Sequence, residues 1–165
     1  MRSEGTAIVH PIPPTYDEHS EILILGSFPS PKSRESGYFY GHPRNRFWRV
    51  VATILSDDIP DTVEQKRAFL LRHHIAAWDV IHSCVITGAS DSSIRDVVVN
   101  DISQILRTAE IRDIYVNGKT AYRYYQTYME PVTGRKAVCL PSTSPANAAW
   151  SVERLVDAWR VIRQE

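Results

Sequence analysis

EILILGSFPSPKSRESGYFYGHPRNRFWRVVATIL, residues 21–55, decides the fold. Its opening run Ile22-Leu23-Ile24-Leu25 has no polar alternation. That is the pattern of a strand buried on both faces of a parallel sheet rather than one with a wet face. Gly26 ends the run. From there to Arg46, glycines, prolines, serines, bases and aromatic rings follow with neither a helical nor a strand period. Phe47, Trp48, Val51, Ile54 and Leu55 then resume at helical spacing. The order is strand, long loop, helix. In open α/β sheets ligands bind beyond the carboxyl ends of the strands, so a long polar loop at that place is a site candidate.

Upstream, residues 1–20 hold Pro11, Pro13 and Pro14 and read as an extended arm lying on a single domain of residues 21–165. Downstream, Thr62-Val63-Glu64-Gln65 fits a capping box and starts a helix that ends near His74. Ile75 to Ile81 reads as a second buried strand and His82 to Ser93 as a polar loop. Asn100-Asp101 reads as an N-cap for Ile102, Ile105 and Leu106, and Ile111 to Asn117 as a third strand closed by Gly118. Lys119 to Met129 reads as a helix, Lys136 to Leu140 as a fourth short strand, and Pro141 to Asn147 as a second polar loop. Val152, Leu155, Val156, Trp159 and Ile162 mark the last helix. Strands alternating with helices predict an α/β fold, a three-layer α/β/α sandwich around a mainly parallel sheet of about four strands.

The 165 residues suit one domain, and 19 basic side chains balance 19 acidic ones. The overall field therefore makes no case for nucleic acid or membrane, and local clustering has to decide. Cys84 and Cys139 lie far apart beside apolar residues, which predicts two reduced, buried thiols that cannot make a four-ligand cluster alone. No apolar run is long enough to span a bilayer and the N-terminus lacks the apolar core of a signal peptide, so a cytoplasmic protein is expected, nucleoid-associated in a bacterium.

Gly118-Lys119-Thr120 matches the tail of a phosphate loop, but Asp113 stands where the motif needs its first glycine, so the amide cradle is missing. His42, His73, His74 and His82 lack the spacing of a helical metal pair and read as surface or satisfied histidines. No metal and no cofactor is expected. Trp48, Trp78, Trp150 and Trp159 sit on apolar faces and read as core. Asn45 has two readings. It is an ordinary helix cap before Phe47-Trp48, or a functional amide in a loop where Lys32, Arg34, Arg44 and Arg46 offer cations for phosphates and Tyr38, Phe39 and Tyr40 offer rings for a base.

Three stretches carry a resemblance: Gly26-Ser27-Phe28-Pro29-Ser30, then Gly37 to Trp48 (GYFYGHPRNRFW), and Leu140 to Asn147 (LPSTSPAN). Together they resemble the uracil-DNA glycosylase superfamily, in particular its hypoxanthine-DNA glycosylase branch. The resemblance runs in order from Ile22 to Trp159 and includes Asp79 to Ile94 and Asn117-Gly118. It implies that the turn Gly26 to Ser30 forms the base pocket with Phe39 and Tyr40, without the catalytic Asp or Asn that several branches carry there. The hypoxanthine branch uses the asparagine matching Asn45. The loop Ser142, Thr143, Ser144, Pro145, Ala146 and Asn147 would enter the minor groove, with Arg44 and Arg46 as further DNA contacts. Ser142 replaces a histidine that supports the leaving base in some uracil-specific branches, and two cysteines are too few for the iron–sulfur cluster of others.

The expected activity is that of a monomeric, monofunctional DNA glycosylase acting on double-stranded or single-stranded DNA that contains a deaminated base. Hypoxanthine is the favoured base and uracil the alternative; a nonenzymatic nucleic-acid-binding relative is the reading from another class. A base must leave the stack before its glycosidic bond is reached. Breaking that bond leaves cationic character on the sugar and negative charge on the base, so catalysis needs donors aimed at the base and a positioned water. An amide such as Asn45 offers a donor and an acceptor, and the sequence leaves open which is used.

Overall fold

The computed structural model describes residues 6–87 and 93–163. In chain order its strands are β1 (Thr6–Val9), β2 (Ile22–Gly26), β3 (Ile75–Asp79), β4 (Ile81–Ile86), β5 (Arg95–Val99), β6 (Asp113–Asn117) and β7 (Val138–Leu140). The helices are α1 (Pro31–Ser36), α2 (Phe47–Ile54), α3 (Val63–Arg72), α4 (Ser103–Thr108), α5 (Lys119–Tyr124), α6 (Glu130–Thr133) and α7 (Val152–Trp159). Four strands form a parallel sheet in the order β3-β2-β6-β7. All five residues of β2 are buried, as its unbroken apolar run requires.

One face of the sheet packs Ile22, Ile24, Ala77 and Tyr115 against α2, α3 and α7. The other packs Leu23, Leu25, Ile114 and Val116 against α4, α5 and β4. The sandwich is therefore three-layered, and truncating a fully buried Leu23 or Leu25 to Ala should cost about 2–5 kcal/mol. Parallel pairing places Gly26 opposite Asp79 and Asn117 opposite Leu140, so the carboxyl ends of all four strands open on one side.

Several elements differ from expectation. The stretch 75–81 does not run as one strand. Beyond Asp79 the chain turns away, and the turning backbone is satisfied by buried Asn100, whose Nδ2 donates to the carbonyls of Asp79 (2.8 Å) and Ile81 (3.3 Å). Asn100 thus braces a bend rather than capping a helix; Asp101 Oδ1 accepts from Ser103 N–H at the start of α4 instead. The expected loop from His82 to Ser93 begins as β4, the middle strand of a second, antiparallel sheet β1-β4-β5. Register shifts on either side of Ser83 break the alternation that would have marked it. Residues 88–92 of that expected loop lie outside the described residues.

The arm supplies β1 to that sheet, and Thr15 bridges Ala77 on the outer edge of β3, covering it. The loop after Gly26 contains α1, capped by the Ser30 hydroxyl accepting from Ser33 N–H, with Pro31 at the first position and Gly37 left-handed (φ 83°) beyond the end. The helix expected over Lys119 to Met129 widens into a π turn at Tyr125–Met129 ahead of Pro131, which has no N–H to continue the ladder. Cys84 is buried, whereas Cys139 is exposed because β7 is an edge strand. Trp48 and Trp159 are core, Trp78 and Trp150 half-buried. No helix among the described residues is long and apolar enough to cross a membrane.

Candidate active site

The four strand ends frame a cavity of about 940 Å³. Its floor is Gly26. A Cβ there would overlap Asp79 Oδ1 and come within 3.0 Å of the Tyr40 hydroxyl, so only glycine lets these two oxygens converge on the backbone. Asp79 is buried and held from behind by His10 of the arm, Nε2 to Oδ2 2.7 Å. Tyr40 takes a left-handed backbone (φ 54°), costly for an aromatic residue, and this turns its ring flat onto Phe47, centroids 4.0 Å apart. Its hydroxyl is the buried side-chain polar atom without a hydrogen-bond partner among the described residues. Burial, reinforced by the Asp79 carboxylate, pushes the phenol far above its ordinary pKa; the nearby Asn117 amide opposes this without reaching hydrogen-bonding geometry.

Ser27, Phe28 and Pro29 follow Gly26 along the wall. Phe28 meets the His10 ring edge to face at 5.8 Å, and the Arg34 guanidinium lies 5.8 Å from its centre while donating to Pro29 O. Phe39 is buried between Tyr38 and His10, and its carbonyl accepts from the Trp48 indole. All three rings line the cavity and each is packed against a neighbour: Tyr40 on Phe47, Phe39 between Tyr38 and His10, and Phe28 against His10 and Arg34.

Asn45 lies immediately before Arg46, the N-terminal flank of α2. Its Oδ1 accepts from Phe47 N–H (2.9 Å) and from the Thr143 hydroxyl (2.7 Å). Thr143 N–H donates in turn to Asn117 Oδ1 (3.0 Å), and Asn117 Nδ2 donates to Thr143 Oγ1 (3.0 Å). Both lone pairs of the Asn45 oxygen are used, while its NH₂ has no partner among the described residues; Asn45 is one of the residues that line the cavity. The Asn45 oxygen thus braces the helix start, and the residue lines the cavity.

Arg46, expected as a DNA cation, is bonded within the protein. Its guanidinium donates to the carbonyls of Thr143 (3.3 Å), Ser144 (2.8 Å), Asn147 (3.1 Å) and Trp150, and its backbone N–H also donates to Thr143 O. These bonds occupy four of the five guanidinium N–H donors. Thr143, also expected at the DNA, is fully buried. Arg44 is exposed and its side chain makes no bond among the described residues. The second loop braces itself: Ser142 Oγ accepts from Ser144 N–H, Ser144 Oγ from Ala146 N–H, and Asn147 Nδ2 donates to Ser142 O. Ala146 is exposed and Pro145 half-buried at its tip. Gly118, at φ 100°, passes so close to the loop that a Cβ would lie 3.2 Å from Ser142 Cβ.

His10, Asp79 and Asn117 were not assigned site roles from sequence. Asp79 had a signal, a single carboxylate closing an otherwise apolar strand. His10 had none, because its place depends on the pairing of β1 with β4. Four other histidines are satisfied: His73 on Asp57, His74 on the His19 carbonyl, His82 on Asn100, and His42 accepting from Arg44 N–H; His19 is exposed beside Glu18. Among the described residues no group of three or more His, Cys, Asp or Glu side chains is arranged to hold a metal.

Comparison with known proteins agrees with this geometry. The family model of the uracil DNA glycosylase superfamily matches residues 13–163. A hypoxanthine DNA glycosylase of Methanosarcina acetivorans is 37% identical over 147 residues, covering 86% of this chain and 90% of the relative. One from Methanosarcina barkeri is 36% identical over 140 residues, covering 82% and 85%. The solution NMR structure of a candidate uracil DNA glycosylase from Methanosarcina acetivorans superposes with a TM-score of 0.79 at 33% identity, covering 94% of this chain and 96% of that one. The chain belongs to the uracil DNA glycosylase superfamily.

Proposed function

We propose that this protein is a monofunctional DNA glycosylase that hydrolyses the N-glycosidic bond of hypoxanthine in DNA, acting as a monomer on a base swung out of the duplex. The observation that carries this is the Asn45 amide on the cavity lining, its oxygen occupied twice and its NH₂ without a partner among the described residues. The group offered to the reaction is thus a donor and not a base. As the C–N bond breaks, its electron pair leaves with the purine, and an amide N–H at a ring nitrogen steadies that charge. Water adds to the electron-poor sugar carbon and loses a proton to solvent. No covalent intermediate is needed.

Base choice follows from the same wall. Hypoxanthine carries an N1–H donor beside a 6-oxo acceptor, whereas adenine presents the reverse. The acceptor-only Asp79 carboxylate complements the N1–H of the deaminated edge, with the buried, protonated Tyr40 hydroxyl converging on Gly26 beside it. Phe28, Phe39 and Tyr40 line the cavity as rings for the base, and Arg44 and the tip Pro145-Ala146 are groups open to DNA. Both relatives named as hypoxanthine DNA glycosylases support this reading.

The test is incubation with duplexes bearing inosine, uracil, xanthine or adenine at one site, followed by alkaline cleavage at abasic sites. Strand scission at inosine above that at uracil is expected. Tight binding without scission on any duplex would return the protein to the nonenzymatic class.

A further inference from the structure

We propose that Thr143 is a positioning residue that fixes the Asn45 amide with its NH₂ turned to the cavity; this rests on the reading of Asn45 as the catalytic donor. Two backbone N–H groups settle the direction of every bond. Phe47 N–H can only donate, so the Asn45 atom 2.9 Å from it is Oδ1. Thr143 N–H can only donate, so the Asn117 atom 3.0 Å from it is Oδ1, and the atom 3.0 Å from Thr143 Oγ1 is Nδ2. An amide nitrogen only donates. The Thr143 hydroxyl therefore accepts from Asn117, and its single proton goes to Asn45 Oδ1, 2.7 Å away.

No other placement of protons satisfies all four contacts. The Asn45 oxygen is pinned from two sides, by the start of α2 and by a loop 98 positions distant, so the amide cannot swing without breaking both bonds. Each bond in the relay polarises the next in the same sense, Asn117 to Thr143 to Asn45, and drawing electrons toward the Asn45 carbonyl makes its N–H the stronger donor. Thr143 is fully buried, so its effect on the reaction passes through Asn45.

The experiment measures single-turnover release of hypoxanthine from a duplex, with duplex affinity and melting curves, for Thr143→Val, Thr143→Ser, Asn45→Ala and the double variant Asn45→Ala/Thr143→Val. Valine keeps the shape and removes the hydroxyl, and the rate should fall by about 10²-fold, the scale of a misplaced catalytic group, while affinity changes little. Serine should restore most of the rate. The double variant should be no slower than Asn45→Ala alone, because the two changes remove one device. Wild-type rate for valine beside an inactive Asn45→Ala overturns the positioning role alone. A further large loss in the double variant, or serine no faster than valine, overturns it as well. Full activity of Asn45→Ala overturns the reading beneath it. Should the valine variant fail to fold, Thr143→Ala takes its place in the same comparison with serine.

Discussion

His10 Nε2 lies 2.7 Å from Asp79 Oδ2, their side chains only 1% and 5% exposed, joining an arm strand to the floor of the cavity. A carboxylate buried to that degree depends on its partner. Replacing His10 by Ala should destabilise the fold by at least about 1–3 kcal/mol, more because the stranded acceptor is charged. Urea denaturation monitored by tryptophan fluorescence measures this. A loss within about 0.5 kcal/mol, the usual effect of a surface change, would contradict the structural role.

Tyr40 should show the opposite balance. Its hydroxyl is buried without a partner among the described residues, so Tyr40→Phe should raise stability by about 1 kcal/mol and lower hypoxanthine excision, the pattern of a group kept for function. The sign with pH follows from the raised phenol. A folded pKa above the unfolded one stabilises fully below about 10 and is lost as pH climbs past it, so the wild type should lose stability above that point more steeply than Tyr40→Phe. Melting curves from pH 7 to 11, with excision at neutral pH, check both halves. Unchanged excision with the gain in stability would assign the hydroxyl no part in reading the base.

Arg44 and Arg46 are separated by one residue and should behave differently. Arg44→Ala should weaken duplex binding and lower the slope of log affinity against log salt by about 1, the loss of one phosphate contact. Arg46→Lys keeps the charge but cannot reach the carbonyls of Thr143, Ser144, Asn147 and Trp150 together. It should lower the melting temperature and the excision rate with little change in salt slope. A reduced slope for Arg46→Lys would make it a DNA cation after all.

The parts of this molecule that were legible in the sequence are those coded locally. The apolar run of β2, the capping box of α3, in which Thr62 and Gln65 bond reciprocally, and the period of α7 all appear within one or two residues of their expected places. Gly26, which ends the apolar run, was legible for the same reason. What stayed hidden depends on long-range pairing: β1 is two positions of alternation that mean nothing until β4 lies beside it, and β4 is disguised by its bulges. Arg46 read as a phosphate ligand because a cation's partner, whether phosphate or a ring of carbonyls from residues 143–150, is set by the fold and not by its neighbours in sequence. The start of α1 is also coded locally, in the Ser30 cap followed by Pro31.

In the proposed reaction the Asn45 NH₂ acts on the leaving base while its oxygen only braces the site. Asn45→Ala and Asn45→Asp separate these functions. Aspartate can still accept from Phe47 N–H and the Thr143 hydroxyl, so it should preserve the fold, yet it puts an anionic acceptor where the donor stood, beside a base that is becoming negative. Single-turnover excision from an inosine duplex should fall by about 10²–10³ for Asn45→Ala, the scale for losing one such donor, and at least as far for Asn45→Asp, with duplex binding largely kept. Near-wild-type excision by Asn45→Ala below its melting transition would contradict the account.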